Sequence, residues 1–189
     1  VLNPATERQV GVVALGNAAD VDAAVAAASR AFASYSQTTK AERLVFLGRL
    51  LKVTEARFED LAQAMSMEMG APISMARDAH ADAAVGHLQG FIEALGQLQE
   101  RESLTSGDIQ LREPIGVCGL ITPWNWPMNQ IALKVIPALA TGCTCVLKPS
   151  EHTPISAMIY AEIIHEAGFP AGCLLYTDDA ADHLRRGQL

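Results

Sequence analysis

Residues 109–150 read "IQLREPIGVCGLITPWNWPMNQIALKVIPALATGCTCVLKPS". The stretch alternates at first and is then apolar up to Thr122, which predicts an edge strand that leads into a buried strand. A helical pattern follows and ends at Gly142, and "CTCVLKPS" has the composition of a second buried strand. Strand, helix and strand in short succession predict a parallel α/β sheet.

The periodic pattern extends in both directions from this stretch. Downstream, "PISAMIYAEIIHEAGFP" predicts a second helix that stops at Gly168. Upstream, apolar residues recur at helical spacing in a first helix with Asp20 as its N-cap, from Thr39 through Met69, and from about Ile73 to Glu100. A short strand or hairpin is predicted within residues 1–15. The expected fold is a helical lead-in followed by the first half of a doubly wound, Rossmann-like parallel sheet.

Composition and charge exclude several function classes. Half of the 189 residues are hydrophobic, which is enough for a sizeable core. The net charge of −7 argues against a nucleic-acid partner, because phosphate binding needs clustered Lys and Arg. No apolar run reaches the roughly 18 residues of a membrane span and no leader is recognisable, so we expect a cytoplasmic protein without a membrane partner. The chain starts at Val1 without a methionine, so a leader could also have been cut away.

Cysteines and histidines are the candidate metal ligands and nucleophiles. The four cysteines form no CxxC pair, and buried free thiols are expected at Cys118, Cys143, Cys145 and Cys173. His80 and His87 are seven residues apart and could share a helix face. Solvated or capping histidines are the simpler interpretation, because a metal site would need further ligands at suitable spacing. We therefore predict no metal.

Two turns are the candidate binding sites, because open α/β sheets bind ligands at the carboxyl ends of their strands. The first turn contains Asn125, whose amide could donate to a developing oxyanion. A turn asparagine that bonds to nearby backbone is the alternative. Trp124 and Trp126 flank this polar donor and would supply the hydrophobic wall that is usual in small-molecule sites.

The second turn contains Lys148 and Glu151, a donor and an acceptor that together could bind the vicinal hydroxyls of a nucleotide ribose. A surface turn in which Ser150 caps the next helix is the alternative. Neither GxGxxG nor GxxxxGK[ST] occurs, so the sequence predicts no phosphate-cradling loop.

Several segments, taken together, resemble the NAD(P)-dependent aldehyde dehydrogenase superfamily. "PWNWP" is similar to the PWN[FW]P segment of that family, "PALATG" to its PALA[AT]G helix end and "KPSEHTP" to its KP[SA]E-x-TP turn. "EAGFPAG" is similar to the stretch that enters its next strand, and "NPAT", "ERLVFLGRLL" and "EMGAPI" follow the family's order upstream. The resemblance covers residues 1 to about 172.

The resemblance implies a role for each residue in the two turns. Asn125 would hold the oxyanion of a thiohemiacetal, together with the backbone N–H of the nucleophile. The cofactor would be NAD, with NADP possible, and the implied contacts are Ile121, Thr122, Pro123, Trp124, Asn125, Lys148, Ser150 and Glu151. The substrate would be a small-molecule aldehyde, and the implied tunnel lining comprises Trp126, Gln130 and Leu133.

The resemblance also implies that essential parts of the enzyme lie elsewhere. The nucleophilic cysteine and the general-base glutamate of the family are downstream of this chain, and none of the four cysteines matches the setting of the nucleophile. We therefore expect an N-terminal fragment, inactive alone, of an enzyme that oxidises an aldehyde to an acid through a cysteine thioester. A truncated paralogue that only binds nucleotide or supports assembly is the alternative. The sequence does not indicate which aldehyde is used.

Three parts of the chain are expected on this basis. Residues 1–108 would be the helical lead-in with its N-terminal hairpin. Residues 109–172 would be the first βαβα units of the NAD(P)-binding domain, with an arm strand near 109–116 through which related enzymes form homodimers or homotetramers. Residues 173–189 depart from the family and resemble a translated sequencing adapter, so we expect a non-native tail, with a frameshift as the alternative.

Overall fold

The computed structural model describes residues 1–176, and its first half is helical. Five helices precede the sheet, at Ala18–Tyr35 (α1), Lys40–Ala56 (α2), Phe58–Met69 (α3), Ile73–Met75 (α4) and Asp82–Gln97 (α5). A π-helical segment, Ala76–Ala81, joins α4 to α5. None of the helices in residues 1–176 has the length and apolar character that crossing a membrane requires.

The second half is a parallel βαβαβ unit. Its strands and helices are Val117–Ile121 (β3), Pro127–Ala140 (α6), Thr144–Lys148 (β4), Pro154–Glu166 (α7) and Leu174–Tyr176 (β5). The strand order is β3-β4-β5, and both neighbouring pairs are parallel. Both crossover helices start with proline at the first helical position, where the missing N–H costs nothing. The α/β fold class agrees with the sequence prediction, whereas the unit runs past the predicted end at residue 172, because Leu174–Tyr176 pairs with β4.

The middle strand β4 is covered on both faces, whereas β3, at the edge of the sheet, is only partly buried and is not the buried strand that the sequence predicts. On one face, Ala24 and Ala28 of α1 pack against Val146, and the Thr144 hydroxyl donates to the Ala28 carbonyl at 2.9 Å. On the other face, α2, α5, α6 and α7 form the main core, which contains two fully buried tyrosines, Tyr35 and Tyr160. The apolar run at residues 145–147 of β4 agrees with this two-sided burial.

Four details of the sequence prediction are corrected. The N-cap of α1 is Asn17, and Asp20 instead closes the capping box from the third helical position. The N-terminal hairpin reduces to one bridge between Leu2 and Gln9. The third helical region ends at Gln97 and is followed by a strand, Arg101–Ser103 (β1). This strand pairs antiparallel with Ile109–Leu111 (β2), so the predicted arm strand is half of an exposed two-stranded ribbon.

The sheet also continues beyond Gly172, where the sequence analysis ended the family-like part. Gly172 has a φ of +93°, and a Cβ there would lie 2.9 Å from the Cβ of Ala31 and 3.0 Å from the carbonyl oxygen of Ala27. Glycine is therefore required where the chain passes α1 and enters β5. The rest of the predicted non-native tail, residues 177–189, lies outside the described residues, and its origin stays a prediction.

Candidate functional site

The two predicted turns lie side by side at the carboxyl edge of the sheet. Ile121 and Lys148, the last residues of β3 and β4, are in register, and the Thr122 N–H donates to the Lys148 carbonyl at 3.2 Å. Parallel pairing forces this arrangement, because it brings the ends of both strands to one edge.

The first turn presents a free amide and apolar surface. Asn125 is exposed, and its side chain has no hydrogen-bond partner within residues 1–176, so the alternative of a backbone-bonded turn asparagine receives no support. Ile121 is 72% exposed and Trp124 is 53% exposed. Thr122 is buried, and its hydroxyl likewise lacks a partner among the described residues. This edge of the sheet thus presents a free amide donor, a buried hydroxyl without a partner among the described residues, and exposed apolar side chains.

The second turn holds a charged pair that faces solvent. The Lys148 ammonium lies 3.8 Å from a carboxylate oxygen of Glu151, and both side chains are more than half exposed. A backbone hydrogen bond of Glu151 itself and the charge of Lys148 lower the pKa of this carboxyl, so it is ionised and can only accept. A donor beside an acceptor fits the vicinal hydroxyls of a ribose.

Ser150 is part of this turn but does not cap α7. Its side chain is mostly buried, and its hydroxyl oxygen accepts the His152 N–H at 3.2 Å. The N-cap position belongs to Thr153, which makes no side-chain cap hydrogen bond. The alternative in which Ser150 caps the next helix is therefore wrong.

The predicted substrate-lining residues share one face of α6. Trp126, Gln130 and Leu133 are spaced by four and three residues and are all partly or well exposed. Gln130 accepts a hydrogen bond from the Lys134 ammonium at 3.4 Å. The opposite face of α6, with residues such as Ile131, is buried in the core.

The two predicted candidates, His80 and His87, pack against the start of α6. The His80 ring is buried and stacks on Trp126 at a centroid distance of 4.3 Å, so the solvated or capping interpretation is wrong for His80. Neither ring nitrogen has a partner among the described residues, and burial lowers the pKa, which keeps the ring neutral. His87 bonds to the side chain of Asn129 at 2.8 Å. Residues 1–176 contain no group of three or more His, Cys, Asp or Glu side chains that could hold a metal.

The four cysteines are free thiols, and burial limits their reactivity as nucleophiles. Cys143, Cys145 and Cys173 are buried as predicted, whereas the predicted burial of Cys118 is wrong, because this residue lies on the partly buried edge strand β3. Burial raises the pKa of Cys173 to about 12 and that of Cys145 still further. Protonated, enclosed thiols are poor nucleophiles.

The sequence analysis missed Glu68. This residue is 3% exposed near the end of α3, and its carboxylate accepts hydrogen bonds from the start of α7. It lines a cleft of about 980 Å³ together with Trp124 and Glu151 of the two turns. The sequence signal that could have pointed to a distant capping residue such as Glu68 is "HTP" at residues 152–154, because this helix start provides little capping of its own.

Known proteins that are similar to this chain in sequence and fold include aldehyde dehydrogenases. The chain is 49% identical over 173 residues to 3-succinoylsemialdehyde-pyridine dehydrogenase of Pseudomonas sp., covering 91% of this chain and 36% of that protein. The crystal structure of aldehyde dehydrogenase from Bartonella henselae superposes with a TM-score of 0.91 at 47% identity, covering 96% and 39% of the two chains.

A mutant of aldehyde dehydrogenase C from Pseudomonas syringae, in complex with NAD+ and octanal, gives a TM-score of 0.90 at 49% identity, covering 93% and 36%. The chain therefore spans little more than a third of the length of these relatives. The model of the aldehyde dehydrogenase family matches residues 1–184. Together with the identities, this match shows that the chain belongs to the aldehyde dehydrogenase family.

Proposed function

We propose that this chain is the N-terminal part of an NAD(P)-dependent enzyme that oxidises an aldehyde to a carboxylic acid. The observation that carries the proposal is the free amide of Asn125 at the sheet edge, beside the exposed Lys148–Glu151 pair. Relatives support it: the Pseudomonas syringae protein was crystallised with NAD+ and octanal.

In this proposal the first turn serves the reacting carbonyl. The Asn125 amide N–H donates to the oxygen on which negative charge develops when a cysteine thiolate attacks the aldehyde. The thiolate and the glutamate that activates water for thioester hydrolysis come from the part of the enzyme outside this chain. Trp126, Gln130 and Leu133 line the approach of the aldehyde, and their mixed character leaves aliphatic, aromatic and semialdehyde substrates open.

The second turn serves the cofactor. Lys148 donates to the adenosine ribose and Glu151 accepts from it, while Ser150 shapes the turn between them. Ile121, Thr122, Pro123 and Trp124 lie against the nicotinamide end, and the bound nucleotide supplies the hydride acceptor. The ionised Glu151 favours NAD over NADP because it repels a 2′-phosphate, and the neighbouring Lys148 makes NADP possible.

The proposal extends to organisation and assembly. Residues 1–108 and 109–172 belong to one cofactor-binding domain, and the β1–β2 ribbon is the arm through which the complete enzyme forms a homodimer or homotetramer. Apolar side chains on that ribbon, Ile109 and Leu111, are about half exposed and would be covered by such contacts. We expect a cytoplasmic enzyme that binds neither nucleic acid nor membranes.

The test is kinetic. In the complete enzyme, Asn125→Ala should lower kcat by roughly two to three orders of magnitude with little change in KM for NAD. Asn129→Ala is the matched control, because that amide is bonded to His87, and it should keep kcat within about threefold. An Asn125→Ala enzyme with normal kcat would refute the assigned role.

The coding sequence downstream of this region separates the two hypotheses that the sequence left open. The isolated chain should show no NAD-dependent and aldehyde-dependent turnover under either hypothesis, because the nucleophile and the general base lie outside it and the thiols of Cys145 and Cys173 are buried and protonated. If the gene has no coding sequence for a nucleophilic cysteine and a base after this region, the non-catalytic paralogue is the correct function.

A further inference from the structure

The N-terminus of α7 is capped by a side chain from another helix. Thr153 makes no side-chain cap hydrogen bond, and Pro154 has no N–H to donate. The next two N–H groups, those of Ile155 and Ser156, donate to the carboxylate of Glu68 at 2.6 and 3.1 Å. The Ser156 hydroxyl donates to the same carboxylate. Glu68 therefore does from α3 what an N-cap residue does locally.

The capped end of α7 is coupled to the turn at residues 148–153. The Ser150 carbonyl accepts the Thr153 N–H at 3.1 Å, so the turn folds directly onto the helix start. Glu68, Glu151 and Thr153 line the same cleft. A shift in the first turn of α7 would consequently move the side chains that flank it in the 148–153 turn.

The stability of the fold alone does not explain why a carboxyl group is buried at position 68. Its side chain is 3% exposed, and burial outweighs its three hydrogen bonds and raises its pKa to about 7. Near neutral pH, the fold thus carries a buried carboxyl whose ionised form is unfavourable. A buried group that lowers stability while it holds one helix in place is expected where the position of that helix matters.

We propose that Glu68 is a positioning residue whose carboxylate fixes the first turn of α7 and so holds Lys148 and Glu151 in place for the adenosine ribose. This inference rests on the proposed function. The carboxylate accepts through both oxygens, whereas glutamine has one acceptor oxygen and an NH2 group. Glu68→Gln consequently leaves one donor at the start of α7 without a partner.

The experiment compares variants of the complete enzyme by steady-state kinetics and by calorimetric binding of ADP-ribose. Glu68→Gln should raise KM for NAD and Kd for ADP-ribose about tenfold, the effect of a lost helix cap, with kcat within about twofold. Ser156→Ala, which loses only the hydroxyl bond, should raise both constants about threefold.

Glu59→Gln is the matched control. Glu59 lies on the same helix as Glu68 but is about half exposed and paired with Arg77, so its variant should match the wild type in both constants. Unchanged NAD and ADP-ribose constants in Glu68→Gln and Ser156→Ala would overturn the proposal. So would a lower kcat at unchanged KM for NAD.

If Glu68→Gln does not fold, Ser156→Ala decides, because it removes a single hydroxyl. A wild-type enzyme that neither binds ADP-ribose nor oxidises aldehydes with NAD would defeat the proposed function, and the positioning role with it. A normal wild type beside unaffected variants would defeat the positioning role alone.

Discussion

Two buried tyrosines of one core should respond in opposite directions to loss of the hydroxyl. Tyr160 is fully buried, and its hydroxyl has no hydrogen-bond partner within residues 1–176. The Tyr35 hydroxyl is equally enclosed but donates to the Leu139 carbonyl at 2.9 Å. Burial raises the pKa of both phenols, so both are neutral and phenylalanine removes no charge.

The magnitudes follow from these environments. A buried polar group without a partner costs about 1–3 kcal/mol, so Tyr160→Phe should stabilise the fold by about 1 kcal/mol after the small loss of packing. Tyr35→Phe loses a bond worth about 1 kcal/mol. The Leu139 carbonyl keeps its second bond, from the Gly142 N–H at 3.1 Å, which limits that loss.

The assay is thermal or urea unfolding of the complete enzyme and the two variants at one protein concentration. We expect the midpoint to rise for Tyr160→Phe and to fall for Tyr35→Phe, with a separation of about 2 kcal/mol. Equal losses of stability in both variants would refute the reasoning, because they would mean that the Tyr160 hydroxyl has a partner.

Three further predictions concern pH, cofactor choice and thiols. Glu68 has a folded-state pKa of about 7 against an ordinary 4.5, so its contribution to stability is complete below pH 4.5 and lost as the pH rises through 7. Between these limits the wild type should lose roughly 3 kcal/mol relative to Glu68→Gln, measured by urea unfolding at a series of pH values. Glu151→Gln should reduce the preference for NAD over NADP about tenfold in kcat/KM, since a negative charge near the 2′-position is removed; an unchanged ratio would contradict that contact. Cys145→Ala should keep kcat within about twofold, and Cys145 should label more slowly than unfolded thiols with a maleimide, because it is enclosed and protonated; loss of turnover would give this thiol a chemical role.

Proline and glycine residues at the helix ends explain why the helix boundaries of the parallel unit could be predicted closely. Pro127 and Pro154 are placed at helix starts, and Gly142 and Gly168 follow helix ends, so each boundary has a local signal. The two candidate turns follow from the same logic, because a parallel strand pair must bring its carboxyl ends together. The roles of individual side chains in those turns came from the family resemblance and not from spacing.

What the sequence did not indicate depends on partners that the local sequence pattern of each element does not specify. The Glu68 cap joins residues 87 and 88 positions apart, and no local pattern encodes that contact. Strand β1 has the polar sequence Arg-Glu-Ser and forms through its partner β2. The described part of strand β5, Leu174–Tyr176, forms by pairing with the free edge of β4.

The location of the tryptophans makes the chain its own optical probe. It has two tryptophans, Trp124 at the first turn and Trp126 against His80, so its indole emission arises entirely at the candidate site. Trp124 is half exposed and senses solvent, whereas Trp126 senses the imidazole that it stacks on. Protonation of an adjacent histidine, or a ligand laid over either ring, changes the emission intensity and wavelength. Nucleotide or aldehyde docking at this edge could therefore be followed in unlabelled protein.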